Sequence, residues 1–449
     1  MNSHHLPVSP RRFEGGIHPE DGKAMSVNSP IRTAPLLDKY TLVVQQNIGA
    51  PPKLLVNKGD PVKKGQLIAE PGGFVSVPLH SPTSGTIGET LEIPGANGAP
   101  VQAVEILADG KDEWCEPMTP YPDWRNVQRD LLLARVKDAG IVGMGGAAFP
   151  THAKLSPPPE RTIDTLVVNG AECEPYLTAD DHLMRESAAR VIAGAGICAK
   201  ILRLTRILIG VEENKPEAIA ALRESAKGIR DLEVVPLHVR YPQGGEKQLI
   251  YALTGRKVMA GGLPMDVGCV VQNVGTLAAI ADAVIDGRPL IERVVTVTGS
   301  PVVQPGNFLL RLGTPVRKAL EFAGGIRKEV RKLILGGPMM GFAQSSLDVA
   351  VSKNTSGILL LAADEVKQFE AGPCLSCGRC VEACPMRLLV STLSKVCENE
   401  RYDLANDNYV MNCLECGICT YVCPAGRPNV QHFRRAKAEL KALAMKRKN

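Results

Sequence analysis

Two stretches near the C-terminal end repeat one cysteine pattern, and that pattern restricts what this chain can fold around. The first reads Cys374-Leu-Ser-Cys377-Gly-Arg-Cys380-Val-Glu-Ala-Cys384-Pro385, the second Cys413-Leu-Glu-Cys416-Gly-Ile-Cys419-Thr-Tyr-Val-Cys423-Pro424. Both are C-x2-C-x2-C-x3-C-P. Thiolates are soft anionic ligands, and three at this spacing wrap a loop around one [4Fe–4S] cube. The fourth falls a helical turn further on and faces the partner cube, so each run lends its last cysteine to the other cluster. Cys374, Cys377, Cys380 and Cys423 are thereby assigned to one cluster, and Cys413, Cys416, Cys419 and Cys384 to the other. Gly378 and Gly417 let the backbone turn close to the sulfides, while Pro385 and Pro424 turn the chain away. Zinc also favours Cys-x2-Cys pairs, but it takes four ligands. Here eight thiols fall into two matching halves, each closed by proline.

The 28 residues between Cys384 and Cys413 read as helical over 388–398, which predicts a helical ferredoxin domain whose clusters act as a wire. Cys397 lies in that helix and is expected as a buried spare. Cys115, Cys198 and Cys269 have apolar or small neighbours and are expected in the core. The first ten residues, with His4 and His5, hold no apolar segment of a secretory signal, so the 13 cysteines are expected as ligands in a reducing compartment. No apolar stretch approaches the ~20 residues of a membrane-spanning helix. A net charge of +5 is too small to argue for nucleic acid, and 8 Phe, 8 Tyr and 2 Trp offer few platforms for base stacking. Residues 431–449 carry seven Lys/Arg against one Glu and read as a basic helix. That tail has two open readings. It could be drawn to an anionic membrane surface, at ~1 kcal/mol per charge. Equally, it could be a solvated face or one that docks an acidic partner.

Upstream, the periodicity changes several times. Residues 1–40 look irregular. Short β runs follow at 41–45, 54–56, 66–69, 73–77, 86–87 and 102–107, separated by Gly/Pro turns, which predicts a small sandwich or barrel. From 123 to 288 helix and strand patterns alternate, with strands at 165–169, 206–211 and 232–239. A helix is expected over 131–138, another capped by Asn214 with Pro216 in its first turn, and a third near Gly245. Strands at 294–298 and 332–335 with a helix at 314–322 predict a smaller α+β unit. A glycine-rich loop, Gly143-Met-Gly-Gly-Ala-Ala-Phe-Pro-Thr151 with Lys154 beyond it, brings backbone N–H groups and a cation to where a phosphate could sit. It lacks the G-x-G-x-x-G spacing and the preceding strand of a Rossmann fingerprint, so a plain tight loop fits these residues as well.

Several motifs carry resemblances. Val56-Asn-Lys-Gly-Asp-Pro-Val-Lys-Lys-Gly-Gln-Leu-Ile-Ala69, with His80-Ser-Pro-Thr-Ser-Gly-Thr-Ile87, resembles the barrel-sandwich fold of biotinyl and lipoyl carriers. Its hairpin tip, Glu70-Pro-Gly-Gly-Phe-Val-Ser76, has no lysine for a swinging arm. The glycine-rich loop, then Asn169-Gly-Ala-Glu-Cys-Glu-Pro175, Tyr241-Pro-Gln-Gly-Gly-Glu246 and Val271-Gln-Asn-Val-Gly-Thr276, are similar in order to the flavin-binding NADH dehydrogenase subunit of respiratory complex I. That resemblance implies that Gly143, Gly145, Gly146 and Lys154 hold the phosphate and ribityl chain of FMN. It places Asn169 and Glu172 along the flavin and near NADH. Tyr241, Gly244, Gly245 and Glu246 would line the nucleotide side, and Gln272, Asn273 and Thr276 the phosphate end. Met144 stands where that family has arginine, and Ala171 replaces an acidic residue. Residues 291–341 resemble the β-grasp, soluble-ligand-binding module of the same family, expected to pack against the flavin domain.

The whole order, opening with Phe13-Glu-Gly-Gly-Ile-His-Pro19, is similar to the RnfC/RsxC family of the Rnf ion-translocating electron transport complex, over about residues 11–430. The expected architecture is multidomain α/β and α+β. It comprises an N-terminal extension (1–40), a barrel-sandwich domain (41–115), a complex-I-like FMN/NADH-binding α/β domain (123–290) and a β-grasp module (291–365). A helical two-cluster ferredoxin domain (366–430) and the basic tail (431–449) complete it. The resemblance implies a translocase subunit that passes electrons between NADH, FMN and two [4Fe–4S] clusters, with ferredoxin met indirectly. Its partners would be membrane and peripheral subunits, and its place the cytoplasmic face of the bacterial inner membrane, held peripherally. Two rivals share these motifs: a soluble flavin–iron–sulfur NADH oxidoreductase subunit, and an electron-relay scaffold with a vestigial flavin site.

Overall fold

The computed structural model describes residues 9–95, 98–366 and 370–446. His4, His5, the start of the expected ferredoxin domain at 367–369 and the last three residues of the tail lie outside them.

The first unit is built from two antiparallel sheets. One orders Lys39–Val43, Pro100–Ala108, Gly85–Pro94 and Pro61–Val62; the other orders Lys53–Leu54, Leu67–Glu70 and Leu79–His80. Alternate residues Tyr40, Leu42, Val104, Ile106, Ile68 and Leu79 turn inward to one core. The strand expected at 73–77 does not form. Pro71 and Pro78 bracket Gly72 and Gly73 there, and the segment bonds to a neighbouring loop, Ala50 N–H donating to the Val75 carbonyl at 3.0 Å. This tip meets the next unit, with the Phe74 carbonyl 2.9 Å from His152 Nε2.

The second unit holds a parallel sheet in the order Leu232–Leu237, Arg206–Glu212, Thr165–Gly170, Cys269–Asn273. Its strands are nearly continuous apolar runs because both faces are covered. Helices Ala188–Leu202 and Val274–Ile285 pack on one face and helix Glu246–Thr254 on the other. The first strand thus lies between the second and the fourth, which makes a topological switch point at the carboxyl ends, where ligands of open α/β sheets bind. Pro216 opens the helix Pro216–Ser225 as expected, but the capping position belongs to Lys215. The Asn214 side chain instead accepts from the Lys215 ammonium at 3.0 Å, because Lys215 is buried beside Glu212.

The third unit is a six-stranded mixed sheet, ordered Ile31–Thr33, Gly306–Arg311, Glu292–Thr298, Gly357–Leu361, Lys332–Leu335, Phe342–Gln344. Helix Val316–Phe322 contributes Val316, Ala319 and Leu320 to its core. Its edge strand Ile31–Thr33 comes from the stretch expected to be irregular and pairs in parallel with Gly306–Arg311. Three residues are too few to show a period of two. The last unit is helical, as expected. Val390–Glu398, Tyr402–Asp407 and Asn429–Lys446 enclose Leu393, Ala405, Val410 and Phe433, with Cys397 buried among them. Cys198 and Cys269 are buried too, whereas Cys115, expected in the core, is only half-buried.

One lysine ties three units together. Lys353, of the third unit, is 0% exposed and donates from its ammonium to the carbonyls of Pro78 (3.0 Å) and Gly140 (2.7 Å). Burial pushes its pKa down from 10.5 to about 7. Between those values the unfolded chain holds a proton that the folded chain has released, so stability rises with pH through this window. The unfolding free energy of the wild type should therefore gain on that of Lys353→Met between pH 7 and 10, by on the order of 1 kcal/mol per pH unit. Parallel curves across that range would refute the buried, deprotonating lysine.

Candidate functional site

At the switch point, the glycine-rich loop folds back on itself. Gly143 N–H donates to the Phe149 carbonyl at 2.9 Å, and Ala148 N–H returns to Gly143 at 3.2 Å. Thr276, buried in the first turn of Val274–Ile285, fastens the loop from below by accepting from Met144 N–H at 2.9 Å. The Met144 side chain is buried with Val77, Val142, Ala148 and Leu290, so it anchors the loop and leaves the main chain facing outward. Gly145 and Gly146 are exposed; a Cβ on Gly145 would stand 3.2 Å from Asn273 Cβ. Gly146, at φ +136°, has open space where a Cβ would point. Only glycine takes that conformation readily, and the bare backbone lets a ligand approach its N–H groups.

The strand ends supply the remaining expected residues. Asn169 donates to the Gly244 carbonyl at 3.0 Å and accepts from Ala171 N–H at 3.2 Å. Lys154 bonds Glu246 at 3.1 Å and the Val271 carbonyl at 3.3 Å. Gly245 caps the helix Glu246–Thr254. Asn273 caps Val274–Ile285 by accepting from Gly275 N–H at 2.8 Å, and donates to Asp180 at 2.7 Å. Glu172 turns its carboxylate to the start of helix Ala179–Glu186, accepting from Asp180 N–H (2.7 Å) and Asp181 N–H (3.1 Å). Burial pushes its pKa up to about 7; Lys23 opposes that rise and Asp180 adds to it. Gln272 and Gln243 are buried with their amide nitrogens unpartnered. Unpartnered buried donors on the segments that carry Gly244 and Asn273 fit a bound group rich in oxygen and nitrogen acceptors, as a flavin mononucleotide is.

The two cysteine runs share one backbone. Gly378 (φ 78°) and Gly417 (φ 81°) are left-handed, as are Ser376 (φ 53°) and Glu415 (φ 57°). One-turn helices, Arg379–Glu382 and Ile418–Tyr421, then carry the chain to Cys384 and Cys423. Cys374, Cys377, Cys380 and Cys423 line a single cleft. Cys384 stands instead within the electrostatic reach of Cys413, Cys416 and Cys419. Among the described residues no three His, Cys, Asp or Glu side chains close around a point as ligands of one ion would. The thiols of the first quartet line one cleft from several sides, as ligands of a cluster would. Cys384, Cys416 and Cys419 are buried, while Cys377 is exposed. The basic helix braces the second run, with Arg434 and Lys437 pairing with Glu415 at 3.0 and 2.5 Å and Lys437 bonding the Cys413 carbonyl at 3.1 Å.

Tyr241 departs from expectation. Its side chain is 2% exposed and does not line an open nucleotide surface. The hydroxyl donates to the Cys416 carbonyl at 2.8 Å, and the ring packs with Ile418, Cys173 and Met339. The apolar ring finds its burial against the cysteine loop, making Tyr241 a wall shared by the cradle and the second run. Cys173 accepts from Gly244 N–H at 3.3 Å behind it, its thiol pushed by burial to about 12. Sequence reasoning missed Lys23 and Asp180. A lone lysine in an irregular stretch carries no signal, but Thr178-Ala-Asp-Asp181 reads as a helix start and marks Asp180.

Because Glu172 is held above its ordinary 4.5, the folded chain keeps between pH 4.5 and 7 a proton that the unfolded chain releases. Stability therefore falls as pH rises through that window. In the flavin-free chain, Glu172→Gln should flatten this fall, by up to about 1 kcal/mol per pH unit in thermal unfolding. An unchanged slope would place the titration elsewhere.

The comparisons agree with this layout. Residues 11–111 match the RnfC barrel sandwich hybrid domain, and 136–282 the Nuo51 FMN-binding domain. Residues 294–343 match the SLBB domain and 369–427 the 4Fe-4S dicluster domain. The RnfC-type component of the proton-translocating ferredoxin:NAD(+) oxidoreductase complex of Clostridium ljungdahlii is 47% identical over 439 residues, 98% of this chain and 96% of that protein. Its counterpart in the Na(+)-translocating ferredoxin:NAD(+) oxidoreductase complex of Acetobacterium woodii is 43% identical over 97% of this chain and 98% of its own length. The corresponding component of the ion-translocating oxidoreductase complex of Pseudomonas aeruginosa is 46% identical, and this chain spans 56% of its length. Among solved structures, an NAD+-reducing [NiFe]-hydrogenase in the H2-reduced state shares the fold, with a TM-score of 0.51 and 20% identity over 71% of this chain and 64% of that one. With its four units in this order and close relatives over nearly its whole length, the chain belongs to the RnfC family of ion-translocating ferredoxin:NAD(+) oxidoreductase complexes.

Proposed function

We propose that this chain is the nucleotide-side electron port of its complex, exchanging electrons with NADH and relaying them singly through two iron–sulfur clusters. It is an electron-transfer subunit that carries FMN and two [4Fe–4S] clusters. When bound, the flavin supplies the conversion between a two-electron hydride and single electrons, and the clusters supply one-electron carriage. The chain's own residues bind, space and insulate these groups.

In this reading Gly143, Gly145, Gly146 and Lys154 hold the flavin's phosphate and ribityl chain, with Lys154 as the one cation of the set. Asn169 and Glu172 lie along the ring, Gly244, Gly245 and Glu246 on the nucleotide side, and Gln272, Asn273 and Thr276 at the phosphate end. Tyr241 positions the second cysteine loop and is not a nucleotide contact. Cys374, Cys377, Cys380 and Cys423 ligate one cluster; Cys413, Cys416, Cys419 and Cys384 ligate the other. The observation that supports the reading is the shared wall: Tyr241 leads into the Gly244-Gly245 segment of the cradle and bonds the Cys416 carbonyl, which fits a flavin site and a cluster site that adjoin. The chain works as a membrane-associated member of a multisubunit complex, and among the described residues no helix is long and apolar enough to cross a membrane. Its place is then peripheral, on the cytoplasmic face of the bacterial inner membrane beside membrane and peripheral subunits, with ferredoxin reached through them.

Anaerobically prepared protein should contain about eight irons with matching sulfide, and its visible spectrum should show flavin bands over the iron–sulfur absorbance. Iron–sulfur absorbance without flavin would favour the relay scaffold. Lys154→Met should weaken flavin retention about tenfold or more, the contribution of a charge-assisted hydrogen bond, with iron unchanged. Crossed ligation has its own test. Cys377→Ala combined with Cys423→Ala should cost about four irons, whereas Cys377→Ala with Cys384→Ala should cost about eight. The opposite pattern would mean that each run holds its own cube.

A further inference from the structure

The opening motif, Phe13 to Pro19, supplies no ligand to flavin or cluster, yet it lies between the two sites. Ile17 exchanges both backbone hydrogen bonds with Tyr241, at 2.9 Å each way. On its other side, Gly16 N–H donates to the Ala383 carbonyl at 2.9 Å, one residue before Cys384. Upstream, Arg11 N–H bonds the Ala252 carbonyl at 3.0 Å, late in helix Glu246–Thr254. Phe13 is 6% exposed, with the Arg240 guanidinium 5.6 Å from its ring centre. There is no room for a side chain at either glycine of the strap. Gly15 sits at φ +76°, where a Cβ would lie 2.6 Å from the Cys384 carbonyl oxygen. Gly16 sits at φ +78°, where a Cβ would lie 2.7 Å from Arg240 Nε and 2.8 Å from the Tyr241 carbonyl oxygen. Both glycines combine a left-handed backbone with a close approach, and the surfaces approached belong one to the cradle side and one to the cluster side.

The geometry points to residues 13–17 as a positioning strap that fixes the spacing between the flavin cradle and the cysteine quartet containing Cys384 and Cys416. The strap rests on the functional reading above and adds to it a part of the chain outside both binding sites. Two backbone contacts converge on that quartet, Gly16 on Ala383 and, through Tyr241, Ile17 on the Cys416 loop. Loosening them leaves each site intact and shifts one against the other. The consequence is specific: binding and hydride transfer persist, and passage of electrons between the sites slows.

The test uses the full chain carrying flavin and both clusters, mixed rapidly with NADH. In Gly15→Ala and Gly16→Ala, iron and flavin content should stay at the wild-type level and the flavin band should bleach at the wild-type rate. Cluster absorbance should then bleach about tenfold more slowly or worse, as misplacements of about 1 Å do to preorganised sites. Amide hydrogen exchange at Gly16, Ile17 and Tyr241 should accelerate, a readout independent of turnover. Gly59→Ala serves as the control, since Gly59 is also left-handed (φ +92°) but has open space around a Cβ; it should leave cluster bleaching untouched. Phe13→Ala loosens the strap without backbone strain, should act in the same direction, and decides the matter if the glycine variants fail to fold. Wild-type cluster bleaching in Gly16→Ala or Phe13→Ala overturns the proposal, as does equal slowing in Gly59→Ala. Loss of iron from Phe13→Ala also overturns it, because the strap would then build the cluster site and not space it. Should wild-type protein show no NADH-driven cluster bleaching at all, the functional reading falls and takes the strap with it.

Discussion

Buried cations bonded to main-chain carbonyls hold the units of this chain in register. Lys23 (7% exposed) donates to the carbonyls of Glu172, Glu174 and Leu177. Lys353 reaches Pro78 and Gly140, and Arg293 (4% exposed) reaches the carbonyls of Met144 and Lys353. Taking a cation out of water costs several kcal/mol even after the protein relaxes, so each site is stable only when its carbonyls arrive together. That makes the contacts all-or-none. The acidic loop after the first parallel strand is set by a lysine of the N-terminal stretch, and the glycine-rich loop by an arginine of the third unit. The cradle is therefore a product of three units and not of the α/β domain alone.

This dependence explains how much could be read from sequence. Cysteine spacing is a local property, imposed by the size of a cube on one loop, and it revealed the runs, their glycines and the helical domain around them. Three of the four parallel strands were legible because both faces are covered and the apolar runs are unbroken, as in Leu166, Val167 and Val168, while Cys269–Asn273 was not singled out. Ile31–Thr33 was not legible, because a three-residue edge strand is defined by its partner, Asn307 to Leu309, more than 270 residues away. The segment 73–77 has the composition of a strand, but its flanking prolines and glycines decide otherwise. Tyr241 was placed by analogy on the nucleotide side; its hydroxyl partner, the Cys416 carbonyl, lies 175 residues on. Lys23 and Arg293 could not be singled out at all, since their partners are backbone oxygens that every residue possesses.

The basic tail shows how tertiary contact divides a charge run that the sequence presents as uniform. Arg434 and Lys437 hold Glu415, whose carboxyl stays below its ordinary range although burial pushes it upward, and Arg435 pairs with Glu400 at 2.7 Å. Phe433 and Ala436 of the same helix are fully buried. The first turns of the helix are thus a brace for the second cysteine run, and their cations are already engaged. Of the tail's two readings, attraction to an anionic surface would rest on the cations later in the sequence, such as Lys441 and Lys446. At ~1 kcal/mol each, these few charges would make a modest contribution to such an attraction.

The two quartets of thiols differ in a way that gives the relay a direction in space. Cys384, Cys416 and Cys419 are buried, Cys416 against Tyr241, and Cys413 is half-buried, whereas Cys377 is exposed and its three companions are half-buried. Solvent exposure, net charge and hydrogen bonds to sulfur are what a protein uses to set the potential of such a cluster. In the proposed relay, the quartet with three buried thiols is the one shielded from outside donors and acceptors, and the quartet with the exposed Cys377 is the one open to another protein. That difference in burial favours transfer in one order, because a cluster that solvent-borne carriers could reach would let electrons leave before crossing the chain. In that reading the wall that carries the Tyr241 hydroxyl bond to the Cys416 carbonyl does two jobs, setting the inner quartet beside the cradle and keeping other acceptors away from it.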